Sequence, residues 1–155
     1  MPKLFIERSA ADNAYLHKDF HGALSTGIQY IDDTLGEEAV RRYLRQFART
    51  FYAPLTADIN ARGLLALKEH LERIYDIEQG LITLYCTEDE LTLKVHQCPA
   101  VMHMRANGYI VARLFSETSR TVYETICEGT PFQAEMQDYD DETGRSIMYF
   151  SRRTR

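Results

Sequence analysis

Within eight residues, His96-Gln97-Cys98-Pro99-Ala100-Val101-Met102-His103 brings together a thiol, two imidazoles and a proline. A proline is tolerated in the first turn of a helix, where its missing N–H is not needed, so Cys98 falls at or beside a helix N-terminus. There the helix dipole favours thiolate, and the expected pKa is lowered towards the range of a nucleophile or metal ligand. The competing reading is a small apolar thiol packed at a strand-to-helix corner, the commonest fate of a free cysteine. His96 and Cys98 alternate about Gln97 and share a side if the chain is extended there; His103 follows one turn into the helix. The trio suits a Cys98 nucleophile with His96 or His103 as its base. Equally, it suits a mixed nitrogen and sulfur site for a transition metal, zinc or iron.

A second histidine pair, His17 and His21, is spaced four apart. On a helix both imidazoles project from one face, the spacing of a two-histidine metal site, although no HExxH signature accompanies them. Arg105 and Arg113 are the cations placed to neutralise a substrate carboxylate. The chain has ten tyrosines and no tryptophan. Tyr15, Tyr30, Tyr43, Tyr52, Tyr85, Tyr109 and Tyr123 could offer hydroxyls to a mostly apolar pocket, with Tyr109 a substrate contact; the alternative is a core edge with each hydroxyl in water. Arg113, Glu117, Arg120 and Glu124 read as a solvated helix face of ion pairs. The segment from Asp138 to Arg145 lacks the ligand alternation of a calcium loop and reads as a turn, with Gly144 supplying positive φ.

These groups need a scaffold, and composition bounds it. The chain has 155 residues, 45% apolar and 26% charged, with net charge −5. That is enough to bury a core as one domain over 1–155, with a helical part (1–80) and a sheet-containing part (81–155). No basic face is visible, which argues against nucleic acid as a partner. No apolar run reaches bilayer length and Met1-Pro2-Lys3-Leu4-Phe5 lacks a signal-peptide core, so no membrane association and a cytoplasmic location are expected. Cys86, Cys98 and Cys127 form an odd set without a CxxC spacing, as expected of reduced thiols.

Periodicity predicts the elements. Apolar residues at helical spacing mark helices from Asn13 to about Leu35, from Glu37 until Pro54 interrupts, from Leu55 to Ala61, and from Leu64 to Ile77. Beyond Gly80 the period shortens: Leu81–Cys86 and Leu91–His96 form a hairpin around Thr87-Glu88-Asp89-Glu90. Pro99 opens a short helix, a longer one runs from about Val111 to Cys127, and Phe132–Asp138 pairs with Ser146–Arg152. The predicted class is α+β: N-terminal helices, then hairpin–helix–helix–hairpin, the two hairpins joining into a four-stranded antiparallel sheet covered by helices.

This order, with Cys98-Pro99 at its corner, Cys127, and a closing Tyr149-Phe150-Ser151-Arg152-Arg153, resembles the L-2-amino-thiazoline-4-carboxylic acid hydrolase-like family. That family is related in fold to the 4-vinyl reductase domain. The resemblance implies a small-molecule hydrolase acting on a carbon–nitrogen bond of a small ring such as a thiazoline carboxylate; Cys98, His96 and His103, singled out by their types and spacing, would then be its site. The family's last strand often carries a further cysteine in a Cys-Asp-Phe-like run, where this chain reads Met148-Tyr149-Phe150. The alternative is a non-catalytic sensor or adaptor that binds a small ligand in the same pocket. A homodimer through the first two helices is a further expectation, drawn from the aromatic residues Phe20, Tyr43, Phe47, Phe51 and Tyr52.

Overall fold

The structure is a computed structural model that describes residues 19–154. It is α+β: four helices, a hairpin, two helices and a second hairpin. Helix α1 spans Asp19–Leu35 and α2 Glu37–Phe51, linked by Gly36 at φ +88°. Glu37 and Glu38 in the first turn of α2 and Arg49 in its last complement the helix dipole. Pro54 does not end structure; it sits in the first turn of α3 (Ala53–Arg62), where its missing N–H is harmless. Gly63, at φ +71°, separates α3 from α4 (Leu64–Ile77).

Strands β1 (Ile82–Cys86), β2 (Glu90–Val95), β3 (Phe132–Tyr139) and β4 (Ser146–Arg152) form one antiparallel sheet in the order β1-β2-β4-β3. The two hairpins therefore join through β2 and β4. Alternation puts Leu91, Leu93 and Val95 opposite Phe150, Met148 and Ser146, all buried on one face, while Thr92, Lys94, Ile147 and Tyr149 project to the other. A bulge between Met136 and Asp138 inserts one residue into β3. The phase flips there, so Tyr139 rejoins the inner face opposite Ser146. Helix α4 packs against β1 and β2, and α6 (Glu117–Cys127) against β3. Helix α2 rests on α6, and α1 packs on α2 and on α5 (Pro99–Ala106).

Two expectations need correction. The helix expected from about Val111 starts only at Glu117. The amides of Ala112 and Arg113 are taken by side chains of α1, Ser25 Oγ at 2.7 Å and Gln29 Oε1 at 2.8 Å, so they stand outside any helical ladder. Nor do Arg113, Glu117, Arg120 and Glu124 form a solvated helix face. Arg113 precedes the helix, and Glu117 is 1% exposed. Its carboxylate accepts from Thr121 Oγ1 at 2.6 Å and pairs with Arg120 at 3.1 Å and Arg41 at 3.5 Å.

Candidate functional site

Cys98 caps α5 with extended backbone, φ −79° and ψ 117°, as the Cys-Pro spacing predicts. Its thiol is not activated. Burial raises its pKa above the ordinary value and outweighs the opposing backbone N–H groups of Val101 and Ala100; the nearby Glu78 carboxylate adds to the rise. The connection between β3 and β4 covers the residue. Cys98 N donates to Thr143 O at 2.9 Å, and Gly144, at φ +68°, lies so close that a Cβ there would stand 2.3 Å from Cys98 Cβ. Arg105, expected to meet a substrate, reaches from α5 to this loop, donating to Glu142 O at 2.7 Å and Asp141 O at 2.8 Å.

Around the thiol the fold gathers groups from distant parts of the chain. Tyr75 and Tyr123 interact through their hydroxyls; burial pushes both phenols well above the usual range, and each is raised further by Cys98 and Glu78. Tyr139, turned inward by the bulge, is raised by burial and then by Cys98. Tyr52 is raised by burial and then by Glu78. Glu78 closes the cluster: its Oε1 lies 3.0 Å from His21 Nε2, both side chains largely buried, tying α1 to the end of α4. The turn after Glu78 is tight. Gln79 takes the left-handed φ of +57°, and a Cβ on Gly80 would meet the Tyr75 ring at 2.7 Å and Pro99 at 2.9 Å.

Glu78 also lines a surface groove of about 590 Å³ with Gln79, Leu81, His96, Pro99 and His103. Two of the three residues expected to act together, His96 and His103, thus share one concavity, whereas Cys98 is not among its lining residues. His96 Nε2 is 2.7 Å from Thr83 Oγ1, so its ring is held by β1 rather than by the thiol. His103 Nε2 pairs with Asp19 at 3.1 Å, and Tyr109 OH donates to the same carboxylate at 3.4 Å. Tyr109 thereby seats on Gly22 of α1. Arg113 lies elsewhere, donating two bonds to Asp32 at 3.0 and 2.9 Å and one to Glu37 at 2.8 Å. His17 lies outside the described residues, so the pair with His21 is not drawn; His21 itself faces Glu78. Among the described residues no group of three or more His, Cys, Asp or Glu side chains is placed to hold a metal ion.

Sequence reading missed Glu78, Tyr75, Tyr139 and Asp19. Tyr75, in the last turn of α4, and Glu78, its C-cap, do stand three apart, a spacing visible in the sequence. Tyr139 depends on a bulge that leaves no mark in the residue pattern. No family model matches the sequence, and no curated protein matches it. No helix among the described residues is long and apolar enough to cross a membrane.

Proposed function

We propose that the chain is a small-molecule-binding module of the 4-vinyl reductase type, with its ligand in the groove between Glu78 and His103. One observation carries this: a concavity of about 590 Å³, within the roughly 300–1,000 Å³ typical of ligand sites, lined by His96, His103 and Glu78 together with apolar Leu81, Pro99 and Met102. Imidazole and amide groups offer both donors and acceptors to a small polar ring. Arg105 and Arg113, the cations first considered for a carboxylate, already hold protein oxygens. Binding without turnover accords with a thiol kept protonated by burial and with no hydrogen bond from an imidazole to that thiol among the described residues.

A second reading, hydrolysis at a carbon–nitrogen bond of a small ring, is favoured by the two imidazole–carboxylate pairs, His21–Glu78 and His103–Asp19. A carboxylate orients an imidazole for proton transfer to water. Amide NMR titration with a library of small heterocycles that includes 2-amino-thiazoline-4-carboxylate separates the readings. Saturable shifts confined to residues 78–82 and 96–103, with the compounds unchanged, support binding. Release of ammonia, or of a new primary amine on an S-carbamoyl product, from the thiazoline supports hydrolysis at the carbon–nitrogen bond. Shifts centred anywhere else refute the groove as the site.

A further inference from the structure

We propose that the outer faces of α1 and α2 together form a homodimer interface about a two-fold axis. Phe20 and Leu35 of α1 and Tyr43, Phe47 and Phe51 of α2 stay between 36% and 71% exposed. With fully exposed aromatic side chains at about 150–250 Å² each, they leave roughly 500 Å² of apolar surface on one side of the molecule. That is near the top of the ~300–600 Å² largest patch of a monomer. Two copies brought together would bury about 1,000 Å² of apolar area, the size at which a specific interface begins.

Several features single out a second copy as the occupant. Every charged residue of α2 (Glu37, Glu38, Arg41, Arg42, Arg45, Arg49) falls on the helix side away from Tyr43 and Phe47. The flank of α1 beside them, with Phe20, Gly27 and Leu35, is likewise free of charge. In a two-fold contact a charge on the axis meets its own copy, and a charge off the axis needs an opposite one on the same face to pair with. A face without any is compatible with itself. The threonine hydroxyls beside it are already satisfied, Thr34 to Tyr30 O at 2.7 Å and Thr50 to Gln46 O at 3.1 Å. Gly27, exposed in the middle of α1, costs helix stability, and a Cβ there would meet nothing within 4 Å. Among the described residues nothing packs close enough to require that glycine; the close approach of a partner helix would use it.

Sedimentation velocity of the full chain tests this. The native protein is expected to sediment as two chains. Gly27→Arg, which improves helix propensity at an open position, is expected to sediment as one chain with its thermal midpoint kept or raised. Phe47→Glu should also weaken association at least tenfold, and Gln133→Arg on the outer face of the sheet should leave it intact. A native chain that sediments as a monomer, or a folded Gly27→Arg that stays dimeric, overturns the proposal.

Discussion

Gly144→Ala tests the packing of the β3–β4 loop on the partly buried Cys98. A Cβ at 144 would stand 2.3 Å from Cys98 Cβ and 2.9 Å from Val101 Cγ2, and the backbone there is left-handed at φ +68°. The conformational penalty for an L residue in that region is about 1–2 kcal/mol. Overpacking against two partly fixed atoms adds roughly 1–3 kcal/mol. The sum, about 2–5 kcal/mol, is a large fraction of the ~5–15 kcal/mol that holds a domain. It corresponds to a fall in thermal midpoint of roughly 5–15 °C for a chain of this size. Urea denaturation gives the loss directly. Cys98→Gly removes the nearer colliding carbon, so in the double variant part of the loss should return, a coupling of about 1 kcal/mol or more. In a Cys86→Ser background, thiol titration should also find Cys98 faster to modify once the methyl group added at position 144 pushes the loop away. A Gly144→Ala protein with native stability and an unchanged modification rate would show that the loop does not pack on Cys98, and the account of the partly buried thiol would fail.

Two other perturbations address the scaffold. Glu117→Ala removes a buried carboxylate with three partners; because Arg41 and Arg120 still reach water, the loss should be about 2–3 kcal/mol by urea denaturation, the range of a hydrogen bond to a charged group, and an unchanged midpoint would contradict the buried pairing. His70 supplies a pH dependence. Burial beneath Tyr52, with the Arg73 charge, lowers its pKa from 6.5 to about 4 in the folded protein, so the unfolded chain takes up the proton first as pH falls. Its contribution is whole above pH 6.5, is lost between 6.5 and about 4, and is flat below. Proton linkage sets a ceiling of roughly 3 kcal/mol, and the ring's partial exposure brings this to about 1–2 kcal/mol. Replacing His70 with Phe should flatten the stability curve over that window, and an unchanged slope would assign the dependence to other groups.

What the residues determine alone is the set of elements and their kind. The apolar spacing of α2 and α4, Pro99 at the start of α5 and the alternation of Leu91, Leu93 and Val95 are local signals, since helix and strand periods bring neighbours in sequence onto one face. Joining the hairpins into one sheet follows from the instability of either alone. The start of α6 did not follow, because the amides of Ala112 and Arg113 are claimed by Ser25 and Gln29 more than eighty positions earlier. The site is legible only in part for the same reason. Cys98 at a helix cap and His96 near His103 are readable, yet the state of that thiol is decided by a loop forty-odd residues away. The partner of His21 lies fifty-seven positions on, and Tyr139 faces inward through one inserted residue. A dipole at a helix end can be inferred from a proline, whereas the burial that overrides it depends on how the chain returns on itself, and only the tertiary structure holds that information.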